Sequence, residues 1–223
     1  MSNPLVYDTP AFTTFLKENP HEAAEMKFLD SIVKEGMKVI DVGANIGVTT
    51  IAIAKKIGER GSLYSFEPVS EYFDTLKKNL SCNGLRNVEA FPLALTDQVG
   101  KADFYQKELS SGIVPQEDVK KFKVNTTTID RFLDERKIER IDLINMDCEG
   151  SEFLVLKGAE KTLRRNKVDI FCEIHHDFLS QLGQSVGGIV EYLQRLEFEV
   201  HSVSENLKIG NDFDKPWYIY AQK

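Results

Sequence analysis

The 223-residue chain lacks several features that mark special classes of protein. Its three cysteines, Cys82, Cys148 and Cys172, are too few and odd in number for a disulfide framework. No apolar run approaches the length of a membrane span, and the N-terminus has no basic segment followed by an apolar one. We therefore expect a cytoplasmic protein with reduced thiols.

The chain also lacks an excess of basic residues. Lys and Arg number 28 against 35 Asp and Glu, which gives a formal net charge of -7. Such a charge disfavours a broad phosphate-binding surface, so we expect no nucleic-acid partner, and the absence of apolar spans leads us to expect no membrane partner. The length fits one main domain, and we expect an N-terminal helical extension over residues 1–36 followed by that domain over residues 37–223.

Apolar strand-like runs alternate along the chain with stretches of helical periodicity. This alternation predicts a parallel sheet covered by helices on both faces. The predicted strands of the main pattern cover residues 38–42, 62–66, 88–93, 141–146, 168–174, 198–203 and 217–221, and the predicted helices cover 23–35, 46–57, 70–80, 151–165 and 186–196. Two short extra strands are predicted over residues 102–106 and 122–126, between the third and fourth strands of this pattern.

The segment over residues 39–50 combines a buried strand, a turn and the start of a helix. Gly43 and Gly47 leave room where a side chain would collide with a ligand, and Asn45 tolerates a positive φ. Backbone N–H groups at the start of a helix attract anionic groups, and Asp41 is expected to face the same crevice. The pattern predicts a nucleotide-like ligand above this turn.

The spacing of the glycines selects among such ligands. The dinucleotide fingerprint requires glycine at positions 43, 45 and 48, and only Gly43 is present. An acid, a glycine, an asparagine and a glycine at positions 41, 43, 45 and 47 fit better. Glu67 ends the next strand, a position suited to binding both ribose hydroxyls. Together these features resemble class I S-adenosylmethionine-dependent methyltransferases.

A second group of acids follows the predicted strand over residues 141–146. Asp147 and Glu149 are two residues apart, so in an extended chain their side chains point to the same side. Two neighbouring carboxylates repel each other unless a cation, a hydroxyl or N–H groups offset their charge. We expect a function for Asp147, whereas Glu152 is expected simply to favour the start of the following helix.

Three segments together resemble the FkbM family of methyltransferases. They are Asp-Val-Gly-Ala-Asn-Ile-Gly at 41–47, Phe-Glu-Pro at 66–68 and Asp-Cys-Glu-Gly-Ser-Glu at 147–152, and the resemblance covers about residues 37–175. Asn145 is a departure, because the family often carries Lys there. The resemblance implies an α/β, Rossmann-like class I methyltransferase fold, with a seven-stranded, mostly parallel sheet, helices on both faces and the last strand antiparallel.

The resemblance also implies a function. It implies S-adenosyl-L-methionine as cofactor and methyl transfer, usually to a hydroxyl oxygen, with a sugar, a polyketide or another small molecule as acceptor. The residues that it implies for cofactor binding are Asp41, Gly43, Ala44, Asn45, Gly47, Glu67, Pro68, Ala94 and Leu95. Those implied for catalysis are Asp147, Glu149, Glu173 and His175, with His175 suited to be a general base near neutral pH.

Several alternatives stay open at the level of sequence. An NAD-dependent oxidoreductase would share the fold, and a non-catalytic cofactor-binding protein is a third hypothesis. No metal is assigned, although Asp147 and Glu149 offer ligands for a divalent ion, and the oligomeric state is open. The polar segment over residues 107–121 is either a substrate lid or a surface hairpin.

Overall fold

A computed structural model describes residues 4–107, 110–115, 117, 119–204 and 207–223 of the chain. They divide into two compact units, a first that ends at Pro92 and a second that begins at Leu93. Among them, the helices are all too short or too polar to cross a membrane.

The first unit begins with helices and continues as alternating strands and helices. Its elements are α1 (Pro10–Glu18), α2 (Pro20–Ile32), β1 (Lys38–Val42), α3 (Val48–Ile57), β2 (Ser62–Phe66), α4 (Ser70–Cys82) and β3 (Val88–Phe91). β1 pairs with β2 and β2 with β3, both in parallel. Val39 and Ile40 of β1 are completely buried, as expected for a parallel strand covered on both faces.

The chain before β1 is tied to the first unit by asparagine side chains. The Leu5 N–H donates to Asn79 Oδ1 at 3.0 Å, and the Tyr7 N–H donates to Asn83 Oδ1 at 2.7 Å. Asn83 Nδ2 returns a hydrogen bond to the Leu5 carbonyl at 2.8 Å. α1 was missed from the sequence, although Thr9 caps it by accepting the Phe12 N–H. The helical extension over residues 1–36 as a separate domain stays a prediction.

The second unit contains two sheets. Its elements are β4 (Ala94–Leu95), β5 (Gly100–Lys107), β6 (Ser110–Gly112), β7 (Lys120–Thr127), α5 (Ile129–Arg136), β8 (Leu143–Met146), α6 (Glu152–Lys157), α7 (Glu160–Arg165), β9 (Asp169–Glu173), α8 (His176–Gln181), α9 (Val186–Arg195), β10 (Glu199–Val203), β11 (Ile209–Gly210) and β12 (Tyr218–Gln222). In one sheet β8 and β9 are parallel, and β12 is antiparallel to both β9 and β10. The antiparallel last strand is therefore confirmed, whereas the short β11 adds to the seven expected strands.

The smaller sheet has the order β4-β7-β5-β6. It contains the two extra strands that the sequence predicted between the third and fourth strands of the main pattern. The helix predicted over residues 151–165 is in fact two helices, α6 and α7, because the chain turns at Gly158. A Cβ on Gly158 would lie 2.1 Å from the Thr96 carbonyl oxygen, so the neighbouring backbone occupies the space of a side chain there.

Candidate active site

The turn after β1, residues Gly43–Gly47, is called the glycine turn below. Gly43, Asn45 and Gly47 all have positive φ, at 84°, 49° and 95°, which confirms the expectation for Asn45. The N–H groups of Gly43 and Ala44 both donate to the Phe66 carbonyl at 3.0 Å. The turn is thus fixed to the end of β2, and α3 begins directly after it.

Two residues of the glycine turn serve the packing of the protein itself. A Cβ on Gly47 would lie 2.6 Å from Leu76 Cδ1 of α4, so helix packing already requires glycine at this position. Ala44 belongs to a buried cluster with Ile51, Leu76 and Leu80. The expectation that Gly47 leaves space for a ligand is corrected accordingly, because its open side faces α4.

Asp41 is buried, with 1% of its surface exposed. The expectation that it faces an open crevice is therefore wrong. The Thr50 hydroxyl donates to Asp41 Oδ2 at 2.6 Å, and the Ser65 hydroxyl lies 3.5 Å from the same oxygen. Asp41 therefore connects the end of β1 with α3 and β2. Thr50 and Ser65 were missed from the sequence, because hydroxyl residues inside apolar elements gave no signal there.

Glu67 directly follows β2 and is only 3% exposed. Its Oε2 accepts the Asn45 N–H at 2.9 Å, and its Oε1 accepts the Val69 N–H at 2.7 Å. The pKa of Glu67 is raised from 4.5 to about 7: burial raises it most, the two backbone hydrogen bonds lower it, and the charge of Asp41 raises it. A carboxylate offers about four acceptor positions, so the group retains capacity for ribose hydroxyls. The ribose contact, like a role for Pro68, stays a prediction.

Ala94 and Leu95 lie on β4 in the second unit. They pair with Thr126 and Thr127 of β7, and both side chains are buried. Their assignment to cofactor binding stays a prediction.

The chain leaves β8 in a tight turn over residues 147–152. Glu149 and Gly150 have φ of 50° and 96°, so this segment is not extended as the two-residue spacing assumed. A Cβ on Gly150 would lie 2.5 Å from Phe178 Cβ and 2.8 Å from Val114 Cγ2. The left-handed backbone of this turn is therefore held by packing on two sides.

The turn brings three carboxylates to the imidazole of His175, and Glu173 of β9 supplies a fourth. His175 Nδ1 lies 2.7 Å from Glu152 Oε1, which also accepts the Gly150 N–H at 3.0 Å. Nε2 of the same ring lies 3.5 Å from Asp147 Oδ1 and 3.7 Å from both Glu149 Oε2 and Glu173 Oε1. We call Asp147, Glu149, Glu152, Glu173 and His175 the carboxylate–histidine cluster. The four residues expected to be catalytic do meet.

Glu152 is the member that sequence reasoning missed. It was expected only to favour the start of a helix, yet it is completely buried and hydrogen-bonded to His175. The glycine and serine before it resemble an ordinary helix start, and its partner lies 23 residues further along the chain. No local pattern connects the two.

The charge state of His175 follows from these neighbours. Burial by itself lowers the pKa of His175, but the hydrogen bond to Glu152 and the charges of Asp147, Glu152 and Glu149 raise it from 6.5 to about 10. The ring is therefore protonated at neutral pH, which corrects the expectation of a base titrating near neutrality.

Burial and the charge of Glu152 raise the pKa of the Cys148 and Cys172 thiols, which keeps them protonated and weakly nucleophilic.

Part of the segment over residues 107–121 packs against the same turn. A Cβ on Gly112 would lie 2.7 Å from the Glu149 carbonyl oxygen, and Val114 is completely buried. The segment is thus more than an isolated surface hairpin. Residues 108, 109, 116 and 118 of the expected lid lie outside the described residues, and closure over a substrate stays a prediction.

A family comparison assigns the chain. Residues 41–200 match the model of the methyltransferase FkbM domain, and the chain belongs to this family. The match begins at the Asp41 that opens the first motif and includes the whole carboxylate–histidine cluster.

Individual relatives agree with the family. Methyltransferase sdnD of Sordaria araneosa is 27% identical over 157 residues, which are 55% of this chain and 60% of that protein. The 2-O-methyltransferase NoeI of Sinorhizobium fredii is 25% identical over 148 residues, covering 58% of this chain and 60% of that protein. The chain thus matches about three fifths of the length of these two relatives.

The fold is confirmed by solved structures. The crystal structure of methyltransferase FkbM from Methylobacillus flagellatus superimposes with a TM-score of 0.57 and 17% identity, over 84% of this chain and 43% of that one. The chain therefore carries an S-adenosylmethionine-dependent methyltransferase domain with the α/β class I fold.

Proposed function

We propose that the chain transfers a methyl group from S-adenosylmethionine to a hydroxyl oxygen of a small molecule, such as a sugar or a polyketide-type metabolite. The family supports the reaction class, and the relative NoeI bears the name of a 2-O-methyltransferase. The observation that carries the proposal is the convergence of Asp147, Glu149 and Glu173 on His175 Nε2. Such a group can hold a hydroxyl and receive its proton.

The backbone conformation of the glycine turn is suited to binding the cofactor. Gly43 and Asn45 adopt the positive φ that such turns require, and the ten-residue helix α3 begins at Val48 directly after them. Glu67 is fixed to Asn45 by a hydrogen bond, which places a carboxylate beside the turn. When bound, the cofactor supplies an electrophilic methyl group. The residues assigned to hold it are Gly43, Asn45 and Glu67.

Asp147 is the member of the cluster that we assign to the acceptor. Its side chain is 40% exposed, against 18% for His175, so a ligand has access to the carboxylate. The acceptor hydroxyl becomes strongly acidic as its oxygen forms the new bond to carbon, so a carboxylate is basic enough to take the proton. Glu149, which is 24% exposed, is the alternative acceptor of that proton. The positive charge of protonated His175 lies 3.5 Å from Asp147 and 3.7 Å from Glu149 and stabilises both carboxylates.

The acceptor class is tested by transfer of a labelled methyl group. The purified chain is incubated with S-adenosylmethionine carrying a labelled methyl and with separate panels of sugars, phenolic polyketides, carboxylic acids and RNA. We expect label in a hydroxylated small molecule as an ether that resists mild base, whereas a methyl ester would be hydrolysed. Label confined to RNA would contradict the proposal and the prediction from net charge, and label confined to base-labile esters would contradict hydroxyl methylation.

A further inference from the structure

The distances around His175 are of two kinds. Nδ1 lies at hydrogen-bond distance from Glu152 Oε1, at 2.7 Å, so this nitrogen carries a proton and donates it. Nε2 lies 3.5 to 3.7 Å from oxygens of Asp147, Glu149 and Glu173, which is longer than an ordinary hydrogen bond. The ring is thus anchored on one side and surrounded by more distant carboxylates on the other.

The distances of 3.5 to 3.7 Å are similar to those between two ligand atoms that bind the same metal ion. Two atoms that each lie about 2.1 Å from a tetrahedral metal ion are about 3.4 Å apart. Nε2 and one oxygen each from Asp147 and Glu149 all lie within 4.8 Å of one another. Glu173 Oε1 lies 3.7 Å from Nε2 but is not one of these three mutually close atoms. The set therefore has the spacing of a coordination shell.

Glu152 provides the support that metal-bound histidines usually have. A carboxylate that accepts the proton of one ring nitrogen fixes the tautomer and directs the other nitrogen to the ion. Glu152 is completely buried, and its Oε2 is also buried and accepts no hydrogen bond within the described part of the chain. A buried carboxylate of this kind is stabilised by positive charge nearby.

We propose that His175 Nε2, Asp147 and Glu149 bind a divalent cation, which replaces the proton that Nε2 carries in its absence, and that Glu152 positions the imidazole. One nitrogen with several carboxylate oxygens suits first-row ions such as Mn²⁺, Fe²⁺ or Zn²⁺ better than Mg²⁺ or Ca²⁺, which prefer shells of oxygen. The inference concerns the residues of the proposed acceptor site, but cation binding is measured without turnover, so its test is separate from that of methyl transfer.

The test is a titration of the chelator-treated chain with Mn²⁺, followed by electron paramagnetic resonance. We expect one saturable site, with ¹⁴N coupling from the His175 ring in pulsed spectra of the wild-type protein. Absence of a saturable site up to millimolar Mn²⁺, or a bound ion without nitrogen coupling, would overturn the proposal. These readouts use the unmodified chain, so they do not depend on how well a variant folds.

Variants locate the ion. Asp147→Asn should weaken Mn²⁺ binding at least tenfold, and Glu152→Gln should weaken it about 10- to 100-fold by releasing the ring. Asp177→Asn is the matched control, since Asp177 is an exposed acid on the neighbouring helix α8. Equal losses in Asp147→Asn and Asp177→Asn would refute a specific site. Loss of methyl transfer with Mn²⁺ binding intact would count against the proposed function and leave the cation site standing.

Discussion

The glycine turn and the carboxylate–histidine cluster are two kinds of functional element. The turn is made by five consecutive residues, and its key features are backbone dihedral angles and backbone N–H groups. The cluster joins side chains from residues 147–152 with side chains from residues 173–175. A site formed by the backbone of consecutive residues can be recognised from a short sequence motif. A site formed by charged side chains from distant segments depends on tertiary contacts, which no short motif contains.

The largest expected effect is a loss of turnover when the carboxylate–histidine cluster is changed and the glycine turn is left intact. Asp147→Asn keeps the size of the side chain but removes its charge, so we expect methyl transfer to fall about 10²- to 10⁴-fold. Affinity for S-adenosylhomocysteine should stay unchanged, because we assign cofactor binding to the glycine turn. Steady-state kinetics and calorimetry measure the two quantities, with Asp177→Asn as the control. A variant with full turnover would remove Asp147 from the chemistry.

The next effect concerns the pH dependence of stability through Glu67. The native state raises the pKa of Glu67 from 4.5 to about 7, so it binds the proton more tightly than the unfolded chain. The resulting stabilisation is complete below pH 4.5 and is lost as the pH rises to about 7. Relative to Glu67→Gln, which does not titrate there, the wild type should lose about 2–3 kcal/mol between pH 5 and pH 8.

Urea unfolding of both proteins at the two pH values checks this difference. Glu59→Gln, at an exposed position, measures the effect of the substitution itself. A free-energy difference between wild type and Glu67→Gln that does not vary with pH would mean that Glu67 titrates normally.

The smallest effect compares two glycines at opposite ends of β1. Gly43 and Gly36 have φ of 84° and 80°, so alanine at either position should cost about 1 kcal/mol of stability. Only Gly43→Ala should also weaken S-adenosylhomocysteine binding, by about tenfold or more, since its side chain would meet the ligand. Calorimetry and thermal unfolding measure both properties. Similar affinities in the two variants would show that the cofactor does not approach Gly43.

The fold was largely predictable from the sequence, because buried parallel strands leave an apolar signature. β1 and β2 were located residue for residue, and the hairpin strands β5 and β7 were found within a few residues. α1, α5, α8 and the short strands β4, β6 and β11 were missed, since each has nine residues or fewer, which is shorter than the window over which periodicity is judged. The break at Gly158 depends on the Thr96 backbone, which lies 62 residues away in sequence.

The candidate site was predictable as a set of residues but not as a set of contacts. The four residues expected to be catalytic were named from strand ends, and they converge. The charge state predicted for His175 was wrong. The buried Glu152, which raises the pKa of His175, was interpreted as a residue that only favours the start of a helix. Likewise, the open side of Gly47 faces Leu76, which only the packing of α4 reveals.

The asparagine contacts of residues 5 and 7 have a consequence for synthesis on the ribosome. Their partners, Asn79 and Asn83, are made 74 and 76 residues later. At about 5–20 residues per second, the early segment waits roughly 4–15 seconds before it can dock. During that interval its backbone N–H groups are available to chaperones or to other nascent chains. The first unit therefore completes its folding only when α4 has emerged, although its first strand is made much earlier.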